Sequence, residues 1–413
     1  MKVGGTYAGL AVCVAVLGVL MGGSLVGGSP ATTPTQEEQQ EQQQEQEQQQ
    51  EQPNKDSNND LVSENNRDEK VFIILAQIQP AECTTKNDTN TKGTCLTSKD
   101  CANDGGTASG SCASGLGVCC IMSNSCNKAS KRNNTYFVSP GGSDDGMAAC
   151  TLTIQRLNDN ICQIRLDFLS MELSQPSVDG KCTDDFLTVS SGVSPTLMIC
   201  GSNTGQHIYY DLDPKGGAVK LTVDRAASVV MNRYWNIQVT QIACDSPYRA
   251  PVGCLQYHTR TTGTVSSFNY AGATVNDPAP ATRQLSSMDY AICVRRADSY
   301  CGITWEPIKK ERFTFSVSNV ADATDISILG TIDALSTGEE CKSDYIVIPG
   351  GVFREGNSKV AREADRYCGL GFPAAVTSTS QPFALYVKTD HDEGEDRGNR
   401  GFKFTYRQIK TCE

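Results

Sequence analysis

The stretch Ile161-Cys162-Gln163-Ile164-Arg165-Leu166-Asp167-Phe168 decides the fold. Cys162, Ile164, Leu166 and Phe168 alternate with Gln163, Arg165 and Asp167, a period of two that places one apolar face against a core and one polar face outward. The same alternation returns at Val219, Leu221 and Val223 and at Trp235, Ile237 and Val239. It returns again at Phe313, Phe315 and Val317, at Phe383, Leu385 and Val387, and at Phe402, Phe404 and Tyr406. Gly, Pro and Asp punctuate the runs, and nothing after Cys126 keeps a 3.6 period. The pattern predicts an all-β chain of antiparallel β-sandwiches and excludes a helical or α/β domain.

Cysteines divide these strands into two blocks. Cys126, Cys150, Cys162, Cys182, Cys200 and Cys244 form the first, and Cys254, Cys293, Cys301, Cys341, Cys368 and Cys412 the second. Each block carries a Cys-Gly pair (Cys200-Gly201, Cys368-Gly369) 44 residues before its last cysteine, a layout that reads as a duplicated module. Ahead of them lie Cys83, Cys95, Cys101, Cys112, Cys119 and Cys120, six half-cystines in 38 residues. A piece that small has little core of its own, so sulfur must hold it, and the Gly-rich stretches between its cysteines predict turns with no element longer than a few residues. Cys119 and Cys120 are adjacent and must reach different partners; the remaining connectivity is open among fifteen pairings.

Of nineteen cysteines, Cys13 alone precedes these groups. It sits in an apolar run from Ala8 to Met21 that follows Lys2 and leads into Gly22, Gly23 and Ser24, the layout of a secretory signal peptide, expected over 1–28. Its removal leaves an even eighteen cysteines, as an oxidised secreted chain requires. Residues 29–80 are expected to be a disordered linker, because Gln36 to Gln52 contains only Gln and Glu and has no apolar face to bury. The expected modules are then a disulfide-rich segment at 81–122 and two sandwiches at 126–244 and 254–413.

The chain of 413 residues is long enough for two or three domains, and 7% aromatic content suits modules stiffened by disulfides better than one large core. A net charge of −11 argues against nucleic acid or an anionic membrane surface as partner. Three histidines, His207, His258 and His391, stand in separate contexts without zinc-site spacing. We expect His207 to be a packing or turn residue, and His258 and His391 to lie on the surface. With every cysteine paired there is no free thiolate, and no serine-nucleophile loop is present, so no enzymatic activity is expected. Sequons at Asn87 and Asn133 agree with secretion.

The segment Cys83 to Cys120 resembles a clip domain, the module found ahead of arthropod serine proteases. The runs Ile161 to Phe168, Cys182-Thr183-Asp184-Asp185-Phe186-Leu187-Thr188-Val189 and Ile199-Cys200-Gly201 resemble a CUB domain. So do Cys341-Lys342-Ser343-Asp344-Tyr345-Ile346-Val347-Ile348, Tyr367-Cys368-Gly369 and Gly401 to Tyr406. Gly205-Gln206-His207 within Cys200 to Asp211 is similar to secreted arthropod members of that family. The cysteines exceed the four of a typical member, so its disulfide scheme does not transfer. The pairing expected here joins Cys182 to Cys200, Cys341 to Cys368, Cys126 to Cys244 and Cys254 to Cys412. The resemblance also implies a calcium site in the second block through Asp344 and Asp390, beside Asp392, Glu393, Glu395 and Asp396; the first-block counterparts are Asp185, Asp224 and Glu172. It implies a secreted, non-catalytic protein that binds extracellular protein or glycan ligands. The alternatives are an accessory or regulator of a secreted serine-protease cascade and a structural component of matrix or cuticle.

Overall fold

The computed structural model describes residues 78–86, 91–140, 148–190, 196–213, 216–226, 233–270, 283–308, 314–317, 328, 330–356, 358–391 and 399–412. The expected signal peptide, nearly all of the expected linker and the Asn87 sequon lie outside the described residues. Among those described, the chain is built almost wholly of strands, and all eighteen cysteines from Cys83 onward pair into nine disulfides.

The N-terminal segment is more regular than its glycines suggest. It comprises β1 (Glu82–Thr84), β2 (Lys92–Leu96), helix α1 (Ser98–Asn103), β3 (Thr107–Cys112) and β4 (Gly117–Asn124). The Thr97 hydroxyl caps α1 by accepting the Asp100 N–H at 3.0 Å. Cys119 bonds Cys83 and its neighbour Cys120 bonds Cys101, while Cys95 meets Cys112. Successive strand residues point to opposite faces, so adjacent cysteines on β4 reach partners on opposite sides.

The first block contributes β5 (Lys128–Ser130), β6 (Thr135–Val138), β7 (Ala149–Ile154), β8 (Ile161–Glu172), β9 (Phe186–Ser190), β10 (Leu197–Ile199), β11 (His207–Asp211), β12 (Val219–Asp224) and β13 (Tyr234–Ala243). One sheet runs β10-β9-β12-β7-β5 and the other β1-β2-β4-β6-β13-β8-β11, with β3 beside β4. The N-terminal segment therefore shares a sheet with the first block, and the boundary expected at residue 122 falls inside β4. Ile164, Leu166 and Phe168 of β8 are buried with Leu152, Val189, Leu221 and Trp235, the apolar faces that the alternation marked.

The second block holds β14 (Cys254–His258), β15 (Thr262–Ser266), β16 (Asp289–Val294), β17 (Gly302–Pro307), β18 (Phe315–Ser316), β19 (Leu335–Thr337), β20 (Tyr345–Arg354), β21 (Ala361–Gly369), β22 (Val376–Ser378), β23 (Phe383–Lys388) and β24 (Gly401–Ile409). Its main path is one continuous sheet, β14-β16-β23-β20-β22-β17-β24-β15, because β20 serves both layers. Tyr345 to Val347 pair with β23 and Val352 with Phe353 pair with β22, and Pro349-Gly350-Gly351 sits at the bend between them. Phe315, Tyr367, Phe372 and Phe404 form its aromatic centre, with ring centroids 4.5–5.9 Å apart in the contacting pairs.

Three strand pairs depart from the antiparallel expectation: β4 with β6, β5 with β7 and β14 with β16 are parallel. The last two are pinned by disulfides, which corrects the expected scheme. Cys126 bonds Cys150 rather than Cys244, and Cys254 bonds Cys293 rather than Cys412. Register explains the rest. Ala243 on β13 faces Ile161 on β8, so Cys244 meets Cys162; Gly302 on β17 faces Ile409 on β24, so Cys301 meets Cys412. Cys182 bonds Cys200 and Cys341 bonds Cys368.

The outer polar face of the first block turns out to be a junction with the second. Gln163 accepts the Ala250 N–H at 2.9 Å and donates to the Ala250 carbonyl at 3.2 Å, which ties the connecting segment to β8. Gln256 donates to Gln206 at 3.0 Å, and Gln206 donates to the Ser267 carbonyl at 2.8 Å. Asn269, fully buried, accepts the Ser202 N–H at 2.8 Å and donates to Gln175 at 2.9 Å. Its side chain fits because Gly201 has no Cβ: one placed there would lie 2.0 Å from Asn269 Oδ1, and Gly201 has φ +78° besides. Gly201→Ala is thus expected to lower stability by roughly 3 kcal/mol or more, combining backbone strain with the clash. Gly205→Ala, with φ +84° but open space around it, is expected to cost about 1 kcal/mol. Thermal melts of the two variants test the difference.

Candidate recognition surface and internal anchors

Asp344, the residue implied as a metal ligand, opens β20 and is completely buried. Its Oδ1 accepts the Asp390 backbone N–H at 2.8 Å, and its Oδ2 accepts Gln284 Nε2 at 2.7 Å and Asn399 Nδ2 at 3.3 Å. The carboxylate ties together the start of β20, the end of β23 and the segments before β16 and β24. Asp390 enters this network through its backbone. Among the described residues no set of three His, Cys, Asp or Glu side chains comes together to hold a metal ion. N–H groups on both carboxylate oxygens give Asp344 the part of an internal anchor. The acidic side chains at 392, 393, 395 and 396 lie outside the described residues.

Asp185 occupies the corresponding place ahead of β9 and is equally buried. It accepts the Ala226 N–H at 3.0 Å and the Ser174 hydroxyl at 2.7 Å, and Arg233 Nε lies 3.3 Å away. The residue types differ between blocks, yet the device is the same: a short carboxylate at a strand start satisfies donors arriving from loops. Asp224 and Glu172, the other first-block counterparts, do not join it. Asp224 pairs in the ladder opposite Ala149 and Phe186, and partial burial raises its pKa. Glu172 accepts the Ser202 hydroxyl at 2.5 Å.

One of the three histidines, His258, falls differently from expectation. His391 is exposed, and His207 is buried at the start of β11 with Nε2 3.1 Å from the Tyr257 amide nitrogen. His258, expected on the surface, is half-buried between rings: its centroid lies 4.8 Å from His207 and 5.8 Å from Tyr406. Nothing in the local sequence distinguishes it; only the packing of β14 against β11 covers it. Burial, then the charges of Arg165 and, for His258, of His207, push the pKa of His207 down to about 4 and that of His258 to about 3. Asn133, a sequon residue, uses its side-chain oxygen to accept the Gln241 N–H at 2.7 Å, and Thr135 of the same sequon is buried in β6.

An open cleft of about 410 Å³ lies where the N-terminal segment meets the first block, lined by Asp104, Met122, Ala129, Ser130, Lys131, Arg132 and Leu157. Arg132 reaches across it to Asp104 at 2.6 Å. Both partners are partly exposed, so this pair contributes on the order of 0–1 kcal/mol and closes the cleft weakly. Its lining mixes charged and polar groups, Asp104, Ser130, Lys131 and Arg132, with apolar Met122, Ala129 and Leu157.

Removing either carboxylate anchor leaves buried donors without acceptors. Asp185→Ala is expected to cost on the order of 3–5 kcal/mol by stranding Arg233. Asp344→Ala strands three N–H donors at roughly 1–3 kcal/mol each. Both losses are expected at full size in EDTA, which a melt with and without calcium reads directly.

Comparison with known proteins agrees with the second block. Residues 251–409 match the family model of the animal CUB domain. A search of curated proteins found no match. Among solved structures, the CUB1-EGF-CUB2 domains of rat MASP-1 align at 14% identity and a TM-score of 0.23, covering 68% of this chain and all of that one. The corresponding domains of human MASP-1/3 align at 14% identity and 0.22, covering 67% of this chain and all of that one. These last two likenesses are too low to carry an argument. The family match stands on its own: residues 251–409 are similar to the animal CUB domain, and the match does not extend to the first block.

Proposed function

We propose that the protein is a secreted, non-catalytic recognition protein that binds extracellular protein or glycan ligands. The observation that carries this reading is the CUB match over 251–409 in a chain with nine disulfides. CUB domains are typically extracellular protein-binding modules, and disulfides at this density form and persist in oxidising compartments. No helix among the described residues is long and apolar enough to cross a membrane.

On this reading the cleft beside Arg132 is a contact surface. It combines apolar side chains with charged and polar ones, the composition of a small polar recognition site. The junction supports recognition in a second way, since two blocks held in one arrangement present a surface already ordered before a ligand arrives.

The test uses the full secreted chain, labelled and applied to cell surfaces and extracellular matrix. Saturable binding is expected, abolished by protease treatment of the target for a protein ligand or by glycosidase treatment for a glycan. Lys131→Glu is expected to weaken that binding at least tenfold while leaving the melting temperature within about 2 °C, as befits an exposed side chain. Absence of saturable binding, or turnover of a substrate by the purified chain, overturns the reading.

A further inference from the structure

The two blocks meet edge to edge without forming a backbone ladder. Strand β11 ends one sheet, strand β14 ends the other, and they pack side by side. An exposed strand edge offers unpaired N–H and C=O groups, and here an imidazole covers them. His207 Nε2 lies 3.1 Å from both the nitrogen and the carbonyl oxygen of Tyr257. To accept the Tyr257 N–H, that nitrogen must be unprotonated.

Around it charges of both signs are present, and Asp167 stands directly opposite His207 in the β8–β11 ladder. From β8, Arg165 donates to Tyr209 at 2.9 Å and is held by Asp167 at 2.6–3.0 Å, so the nearest carboxylate is already engaged. From β11 come His207 and Tyr209, and from β14 come Tyr257 and His258. Tyr406 packs in from β24, and Arg260 and Arg295 act on Tyr406 and Tyr257 from the flanking loops. His258 Nε2 is buried and makes no hydrogen bond among the described residues. Tyr209, Tyr257 and Ala250 form a small apolar cluster of their own with Cys254 and Cys293, so the junction has a core that water must enter if it opens.

We propose that the His207–His258 pair is an acid-sensitive latch between the two blocks: closed while both rings are neutral, released when they take up protons. Protonation of His207 removes the acceptor of the Tyr257 N–H, and the new N–H is offset only by the Tyr257 carbonyl 3.1 Å away. Protonation of His258 buries a cation with no partner, 4.8 Å from the other ring. Arg165 adds like charge to both.

The sign follows from linkage. The closed form holds these imidazoles well below the ordinary histidine value of about 6.5, so the open form binds protons more tightly. Closure is fully favoured above that value and weakens as pH falls from about 6.5 towards about 4. With an open-state value near 6.5, each ring shifts the closed-to-open ratio by roughly thirtyfold between pH 7.5 and pH 5.

Three histidines in the chain make the test direct. Proton NMR of the full protein, followed from pH 7.5 to pH 3.5, is expected to show His207 and His258 titrating below about 5, together with an increase in the radius of gyration by small-angle scattering. The double variant His207→Gln, His258→Phe keeps an acceptor for Tyr257 and a ring beside Tyr406 but carries no proton-binding site there. Its scattering profile is expected to stay unchanged to pH 4.5, where the wild type has expanded. His207 and His258 titrating near the ordinary value of about 6.5, or a wild-type profile constant down to pH 4, overturns the latch. So does equal expansion of wild type and variant. If the variant fails to fold, the wild-type titration and scattering decide alone.

Discussion

The arrangement of the two blocks depends on the segment between Cys244 and Cys254. Nine residues connect these cysteines, and each cysteine is bonded back into its own block, Cys244 to Cys162 and Cys254 to Cys293. The connector therefore has fixed ends, and Gln163 fastens its middle through both hydrogen-bonding groups of Ala250. So short a tether keeps β11 and β14 within reach of one another, which raises their effective concentration and makes the weak side-chain contacts between them sufficient. Asn269 against Gly201 and Gln206 against Ser267 then add specificity to a contact that the connector has already made near.

This use of the outer face explains what was legible in the sequence and what was not. Alternation along β8, β12 and β13 marked the buried faces correctly because burial in one sheet needs only local period. The same alternation assigned Gln163, Arg165 and Asp167 to solvent. That holds within a single sandwich and fails once a second block covers the face. Gln163 is buried, and Arg165 and Asp167 are half-buried. A polar face that will meet another polar face carries no apolar signal, so His258 and Asn269 are silent for the same reason.

Disulfide pairing shows the same division between local and distant information. Cys182 with Cys200 and Cys341 with Cys368 span 18 and 27 residues, short separations that each close over one antiparallel strand pair. First-to-last symmetry then suggested Cys126 with Cys244 and Cys254 with Cys412, but pairing follows strand neighbours rather than block ends. Cys162 and Cys244 sit together because β8 and β13 are antiparallel partners, a fact that requires the topology. The two blocks share one scheme: each joins its first cysteine to its second, its third to its sixth and its fourth to its fifth.

Asp344 illustrates how one residue type serves either of two ends. A buried carboxylate at a strand start must be neutralised, by a cation or by N–H donors, because leaving it bare in a low-dielectric interior costs several kcal/mol. In the first block Arg233 and a backbone N–H do this for Asp185; in the second, two side-chain amides and a backbone N–H do it for Asp344. The donors come from positions 46 to 60 residues away in sequence, so the motif that flags the aspartate says nothing about its partners. Where protein donors fill the role, the loop ends are ordered by the fold itself, and any ligand at that end meets a frame set before it arrives. The same logic governs the junction, where the His207 imidazole meets the open edge of β14.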